Sequence, residues 1–145
     1  MQLQNVFHGG YTHGSRDFVN RTIRDRIEAY DFTSSYPYEM LVEKYPCEKF
    51  WPADEGMTIS DILTYSDDYA FFFELVADEV RLKDLGEQMP VLQASKCIQS
   101  INAIVDNGRI LKATFVDIWL TEQDLIMIAE QYDFGVYRLR NVQCA

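Results

Sequence analysis

The pattern of apolar and polar positions predicts strands along most of the chain. Aromatic and β-branched residues run together over 69–77, which is typical of a buried strand. A strand over 110–118 follows the turn signal Asp106-Asn107-Gly108, and residues 97–105 are expected to pair with it as a hairpin. Shorter or alternating patterns predict three further strands, at 27–32, 89–94 and 136–142.

One helix is predicted over 121–132. Thr121 and Asp124 form a start that resembles a capping box, and Asp124 also suits the positive end of the helix. Leu125 and Ile128 continue on one face, as in a helix that packs on a core.

A second helix is predicted to begin in the stretch Ser34-Ser35-Tyr36-Pro37 and to run to about Tyr45. A serine there can cap the helix, and the proline can occupy the first turn without losing a needed hydrogen bond. Residues 46–68 are predicted to form a loop with one helical turn at 59–63. The expected fold class is α+β, with a mainly antiparallel sheet and a few helices.

Size and charge narrow the class of protein. The 145 residues are enough for one domain with a core, and 48% apolar residues exclude a disordered chain. With 23 acidic and 13 basic residues the net charge is -10, which predicts poor binding of nucleic acid by the isolated chain. Residues 1–30 carry 4 basic against 3 acidic side chains, and residues 31–145 carry 9 against 20. The window 54–87 holds ten of these acids and is expected to be a solvated surface.

Cysteine usage and apolar run length indicate the compartment. Cys47, Cys97 and Cys144 form no CxxC pair, and their odd number leaves at least one of them unpaired. No run approaches the roughly 18 apolar residues that span a bilayer, and the N-terminus does not resemble a secretory leader. The protein is expected to be soluble and cytoplasmic, with no membrane partner.

Candidate chemistry concentrates at residues 30–37, Tyr-Asp-Phe-Thr-Ser-Ser-Tyr-Pro. A carboxylate at the end of a strand, followed by a tight turn into a helix, places an oxygen ligand beside N–H groups that hold an anion. Such an arrangement suits a magnesium-bound triphosphate, with the metal on Asp31 and on the main-chain carbonyl of Phe32. The ring of Tyr36 would lie beside the sugar and exclude a 2′-hydroxyl. The phosphates would lie over four amides, those of Thr33, Ser34, Ser35 and Tyr36. An ordinary strand-turn-helix with a capping serine and a buried tyrosine is the alternative.

The same stretch resembles motif A of the family B DNA polymerases, in the phage and plasmid branch that includes the protein-primed enzymes. Motif A reads D-x-x-S-L-Y-P, and Asp31-x-x-Ser34-Ser35-Tyr36-Pro37 departs from it only where Ser35 replaces leucine. Upstream, residues 7–11 resemble the Y-x-G-G/A segment that links the exonuclease and polymerase modules and touches the template strand. The resemblance implies DNA contacts by four of these residues, Phe7, Gly9, Gly10 and Tyr11, with Phe7 standing in place of tyrosine.

A downstream stretch carries the resemblance further. Asp117-Ile-Trp-Leu-Thr-Glu-Gln-Asp124-Leu125 and Glu130-Gln-Tyr-Asp133 resemble a D-L-W-L-T-x-x-D-L passage followed by H-Y-D in the same enzymes. That passage belongs to an insertion after motif A, which contacts the terminal protein in the protein-primed branch. The resemblance implies two parts, a start of the polymerase palm at 1–45 and an insertion subdomain at 46–145.

Two polymerase motifs are absent from the sequence. These are the Y-x-D-T-D motif, which supplies a second metal-holding carboxylate, and the K-x-x-x-N-S-x-Y-G helix. The resemblance therefore implies a polymerase fragment, inactive alone, whose parent uses two Mg²⁺ ions, a dNTP and a DNA primer-template. The alternative is an acidic interaction module that docks a priming protein or another polymerase subdomain. Apolar side chains of a truncated palm would remain exposed, which predicts an exposed patch or a dimer.

Three other features are assigned lesser roles. Tyr65-Ser66-Asp67-Asp68 matches the Y-x-D-D hairpin of reverse transcriptases, but it lies in an acidic, loop-like region and is predicted to be a solvated loop. His8 and His13 lack partners at zinc-ligand spacing. Arg24, with its neighbours at 21 and 26, is a candidate DNA contact, although a solvated basic stretch is the commoner meaning of such spacing.

Overall fold

Seven strands form one antiparallel sheet in the part of the chain that the computed structural model describes, which is residues 18, 20–43, 45–54, 56–84 and 89–145. In chain order the elements are α1 (Ser35–Val42), β1 (Trp51–Pro52), α2 (Ile59–Tyr65), β2 (Phe71–Leu82), a 3-10 turn (Ala94–Lys96), β3 (Cys97–Ile101), β4 (Ile104–Asp106), β5 (Arg109–Thr121), α3 (Glu122–Gln131), β6 (Tyr132–Asp133) and β7 (Tyr137–Cys144). The expected α+β class with a mainly antiparallel sheet is confirmed.

The two longest strands, β2 and β5, lie at the centre of the sheet. The strand order is β1-β7-β2-β5-β3, while β4 pairs with β5 and β6 pairs with β2. The register of β2 and β5 runs from the pair Phe72 and Thr121 to the pair Arg81 and Lys112. The predicted strand over 110–118 and its hairpin with 97–105 are confirmed, because both β3 and β4 pair with β5. The turn of this hairpin has a positive φ at Asn107 (46°) and Gly108 (75°), as the turn signal requires.

One face of the sheet carries the apolar core. Alternate residues of β2 lie opposite alternate residues of β5, because successive side chains of a strand point to opposite faces. Helices α2 and α3 cover this face. The core side chains include Phe73, Leu75, Ala77, Val116, Ile118 and Leu120 from the strands, with Ile62, Leu125 and Ile128 from the helices.

The opposite face of β2 is also buried, which explains why 69–77 reads as a continuous apolar run. Phe72 is 5% exposed and makes an edge contact with the ring of Phe50, at 4.7 Å between centroids. It also contacts the ring of Trp119, at 5.9 Å. This face holds Glu74 as well, so one of the acids expected on a solvated surface is buried.

The helix predicted at 121–132 is confirmed. The Thr121 hydroxyl accepts the Asp124 N–H at 3.3 Å, and the Asp124 carboxylate accepts the Thr121 N–H at 3.0 Å, which completes a capping box. A second capping box, between Thr58 and Asp61, begins α2, which extends two residues beyond the predicted turn. The alternating segment predicted as a strand at 136–142 is confirmed as β7.

The strand predicted at 89–94 is wrong. Only Gln93 makes an isolated bridge there, to Arg109, and the 3-10 turn follows directly. The Ile110 N–H donates to the Leu92 carbonyl at 2.9 Å and the Ala94 N–H to the Gly108 carbonyl at 3.0 Å, and side chains satisfy other backbone groups of the segment. The Gln131 side chain accepts the Val91 N–H at 2.8 Å and donates to the Met89 carbonyl at 3.2 Å. Arg109 donates to the Val91 carbonyl at 3.0 Å.

The strand predicted at 27–32 is also wrong, because these residues adopt no regular secondary structure. Every described residue from 18 to 49 is exposed, so nothing covers the apolar positions that the alternation suggested. Exposed apolar side chains were expected of a truncated palm, and they occur here. None of the helices among the described residues is long and apolar enough to cross a membrane. Cys47, Cys97 and Cys144 are all free thiols.

Candidate nucleotide-binding segment and a buried carboxylate pair

Asp31 lies in an exposed, irregular segment that leads into α1. Its carboxylate is open to solvent, as a metal ligand would require, but no strand precedes it. The prediction of a carboxylate at a strand end is therefore wrong in the described chain. Upstream, the side chain of Arg26 pairs with Glu28 at 2.9 Å, and the Tyr30 hydroxyl donates to the same carboxylate. That hydrogen bond, with a smaller contribution from burial, raises the pKa of Tyr30.

Ser34 is the residue at which the chain turns into α1. Its backbone is left-handed (φ 59°, ψ 36°), and its carbonyl accepts the Tyr38 N–H at 2.9 Å. The predicted helix start is confirmed, and Pro37 lies in the first turn as expected. The predicted capping hydrogen bond from a serine side chain is wrong, because Ser34 makes none. A left-handed residue does not have the extended geometry from which a side chain reaches the N–H groups of the first turn.

The aromatic residues of this segment are exposed rather than buried. Phe32 is 84% exposed and Tyr36 is 83% exposed, so the alternative interpretation of Tyr36 as a buried core tyrosine is wrong. Thr33 and Ser35 are exposed too, as is the candidate DNA contact Arg24. The other predicted DNA contacts, Phe7, Gly9, Gly10 and Tyr11, lie outside the described residues.

The segment supplies one carboxylate and not a complete metal site. In the described ranges, no group of three or more His, Cys, Asp or Glu side chains is arranged to hold a metal ion. An exposed Asp31 fits the role of a single ligand, and two metal ions need a further carboxylate. The Y-x-D-D stretch does not provide one as a hairpin, since Tyr65 ends α2 and 66–68 form a turn, as predicted.

A buried pair of acids lies at the centre of the sheet, and sequence reasoning did not find it. Glu74 on β2 is 4% exposed and Asp117 on β5 is 8% exposed. The Arg140 guanidinium on β7 donates to Glu74, and it lies 3.4 Å from Asp117. The Asn141 amide donates to Glu74 at 2.8 Å. One guanidinium therefore faces two carboxylates, and Asp117 Oδ1 is buried with no hydrogen-bond partner among the described residues.

The two acids respond to this environment in opposite directions. Burial opposes the ionisation of Glu74, but hydrogen bonds from Arg140, Asn141 and Asp117 outweigh it and lower the pKa of Glu74. Burial raises the pKa of Asp117, and the shared hydrogen bond and negative charge of Glu74 raise it further. Burial and the charge of Asp117 also raise the pKa of the Cys97 thiol to about 11. The pKa values of the two acids are therefore shifted apart, with Glu74 the more acidic group and Asp117 the less acidic one.

A signal for this pair was present in the sequence. Glu74 is the only charged residue inside the apolar run 69–77, and a charge inside a buried strand requires a partner. The basic residues of the last strand, Arg138 and Arg140, alternate in the pattern that places both on one face.

A cleft of about 960 Å³ separates the residues after α1 from one end of the sheet. Its lining contains five acids, Glu43, Glu48, Asp67, Asp68 and Glu122, and three aromatic residues, Tyr45, Trp51 and Tyr69. No Lys, Arg or His of the described residues lines it. The Glu122 carboxylate accepts the Phe71 N–H at 2.8 Å, and burial raises the pKa of Glu122. The cleft is therefore acidic and partly aromatic.

Comparison with known proteins identifies the family. Residues 2–142 match the family described as DNA polymerase type B, organellar and viral. The chain belongs to this family, as the resemblance at Asp31 and Tyr36 implied. No curated protein matches the chain, and no solved structure matches it.

Proposed function

We propose that this chain supplies motif A to a DNA polymerase that adds deoxynucleotides to a primer on a DNA template. The observation that carries the proposal is the family match, which spans the segment around Asp31 and nearly all of the sheet. The exposure of 27–43 supports it, because a motif that meets a nucleotide and the rest of a palm must be accessible.

Each proposed role is what the resemblance to motif A implies, and it fits the chemistry of one exposed group. Asp31 and the carbonyl of Phe32 would hold a Mg²⁺ ion. The N–H groups of Ser35 and Tyr36, in the first turn of α1, have no partner within the helix and suit phosphate oxygens. The Ser34 hydroxyl, which does not cap α1, would lie near the triphosphate. The Tyr36 ring would select against a 2′-hydroxyl by its volume. When bound, the metal pair stabilises the attacking 3′-oxygen and the leaving pyrophosphate.

The isolated chain is proposed to be inactive. Among the described residues no group of three or more His, Cys, Asp or Glu side chains is arranged to hold a metal ion, and one aspartate does not hold two metal ions. Primer extension with Mg²⁺ and four dNTPs tests this, with Asp31→Asn as the matched variant. Wild type and variant should both give background product. Robust product that disappears in the variant would overturn the proposed inactivity.

The metal role of Asp31 has its own experiment. Mn²⁺ with a dNTP should broaden the NMR signals of residues 31–36 in the wild type, and Asp31→Asn should abolish the broadening. The control is Asp25→Asn, an equally exposed acid outside the motif. Equal broadening in wild type and Asp31→Asn would contradict the assignment.

We place the parent enzyme in the protein-primed branch, with residues 1–45 in the palm and 46–145 in an inserted subdomain. The support is the resemblance of 117–125 and 130–133 to that insertion. Much of this stretch is buried, including Leu120 and Leu125 at 0% exposure. Most of it would therefore pack beneath a contact surface and would not touch the partner. The cytoplasmic location also remains a prediction.

The second candidate function is a docking module, and the acidic cleft favours it. Carboxylates beside aromatic faces suit a basic side chain, through ion pairing and cation–π contact. The occupant would be a basic segment of a priming protein. Glu48→Gln with Asp68→Gln should weaken binding of the full chain to that protein and reduce its salt dependence. Glu130→Gln, an exposed acid outside the cleft lining, is the control. Equal affinities of all three proteins would contradict this function.

A further inference from the structure

The outer edge of the sheet carries an exposed, uncharged strand, which is independent of the proposed function. β3 stands last in the strand order, so its outer edge faces no other strand of the described residues. We name residues 96–106 the edge arm. It runs from Lys96 through β3 to the end of β4. Ile98, Ile101 and Ile104 in this arm are 56%, 42% and 57% exposed. An edge with open backbone groups and exposed aliphatic side chains is a template for another strand.

The edge arm has only part of the usual protection against pairing. From Cys97 to Val105 there is no charged residue and no proline, in a chain whose net charge is -10. Irregularities in its pairing with β5 and the left-handed Asn102 (φ 50°) give partial protection, because they bend the arm. Two copies that repel each other elsewhere meet the least repulsion along this neutral stretch.

The order of residues in the arm is complementary to itself. Ile98 and Ile104 lie three positions either side of Ile101, and Lys96 and Asp106 lie five positions either side. In an antiparallel contact with a two-fold axis at Ile101, Ile98 of one copy meets Ile104 of the other. Lys96 then meets Asp106, so each end of the contact joins opposite charges.

We propose that a second copy of this chain docks on the edge arm, antiparallel, with the two-fold axis at Ile101. Three isoleucines from each copy form the apolar centre, and two Lys96–Asp106 pairs form the rim. Asn102 bends the arm beside the axis, so side chains contribute more to the contact than backbone hydrogen bonds do. The dimer is consequently weak, with a dissociation constant on the order of 0.1 mM.

A charge-exchange cycle tests the register. In sedimentation equilibrium the wild-type average mass should rise above 16.9 kDa with concentration. Lys96→Asp and Asp106→Lys should each weaken association about tenfold by placing like charges together. The double variant should restore it. Lys112→Asp reverses the charge of an exposed lysine that lies outside the proposed Lys96–Asp106 pairs. Combined with Asp106→Lys, it should not restore association.

A disulfide trap tests the position of the axis. In a Cys47→Ser background, Ile101→Cys places two thiols across the axis, within the range that a disulfide spans. Ile98→Cys is the control, because it places the two thiols six positions apart along the arms, at a distance of about 20 Å. The thiol of Cys97 donates to the Gln93 carbonyl at 3.4 Å, and Cys144 is buried, so neither should interfere.

Dimers should form at least about tenfold faster with Ile101→Cys than with Ile98→Cys. A monomer at every concentration, an unrestored double variant, or equal cross-linking of the two cysteine variants would each overturn the proposal.

Discussion

The segment 18–49 and the sheet region 50–145 are both rich in apolar residues, but only the second buries them. Eleven large apolar side chains between Phe18 and Tyr45 are exposed, whereas the buried core begins at Ile62. Apolar residues form a core only where the same chain supplies partners for them. The comparison teaches that the described part of 18–49 forms a helix but packs none of its apolar side chains into the core.

The largest difference should appear when leucines are truncated in both regions. Leu120 is 0% exposed in the centre of the core, and Leu41 is 85% exposed on α1. Leu120→Ala should lower the free energy of unfolding by about 3–5 kcal/mol, because it removes buried surface and leaves a cavity. Leu41→Ala should change it by less than about 0.5 kcal/mol. Urea unfolding followed by circular dichroism measures both.

Similar losses in the two variants would remove the distinction between the regions. They would mean that α1 packs on the core in solution.

A smaller difference in stability is expected when one arginine is replaced in each region. Arg140→Met leaves Glu74 and Asp117 buried without their cation, and an uncompensated buried carboxylate is strongly unfavourable. Arg24→Met removes an exposed charge of the first segment. The urea midpoint should fall clearly for Arg140→Met, though less than for Leu120→Ala, and should not move for Arg24→Met. An unchanged midpoint for Arg140→Met would show that the carboxylates are not held by this guanidinium.

Sequence patterns predicted the sheet region well because its signals are local and its partners lie in the same chain. The capping box at Thr121, the turn at Asn107-Gly108 and the apolar run at 69–77 each correspond to an observed element. The failure at 89–94 has another cause. There the Gln131 and Arg109 side chains satisfy part of the backbone, and such distant contacts leave no periodic signal in the segment itself.

The local structure around Asp31 was predicted wrongly, while the roles of the candidate site residues remain a prediction. A strand at 27–32 requires a neighbour for its backbone hydrogen bonds, and the described residues contain none beside it. The alternating pattern at 27–32 therefore predicted the wrong local structure. The buried pair of Glu74 and Asp117 was missed for the opposite reason, because acids were assigned to the surface by composition rather than by their place in a strand.

Helix caps give a third and smaller comparison. The Thr121 side chain caps α3, whereas Ser34, at the same position relative to α1, makes no side-chain hydrogen bond to the helix. Thr121→Ala should therefore lower the free energy of unfolding by about 1 kcal/mol, and Ser34→Ala should have almost no effect. Thermal unfolding of both variants measures this. A loss at Ser34 as large as that at Thr121 would contradict the observed cap geometry.

The finest comparison concerns pH and the opposite pKa shifts of Glu74 and Asp117. The pKa of Asp117 is raised in the folded state, so its contribution to stability is complete below its ordinary value of 3.8 and is lost as pH rises through the folded value. The pKa of Glu74 is lowered, so its contribution is lost instead as pH falls through the folded value. Asp117→Asn keeps a hydrogen-bond donor toward Glu74 and removes the titration.

Stability measured against pH should therefore separate the two regions once more. Above pH 3.8 the wild type should lose stability relative to Asp117→Asn, and below it the two curves should run parallel. Asp31→Asn, in the exposed segment, should keep the shape of the wild-type curve. If Asp117→Asn instead loses stability relative to the wild type as pH rises, the pKa of Asp117 is not raised in the folded protein.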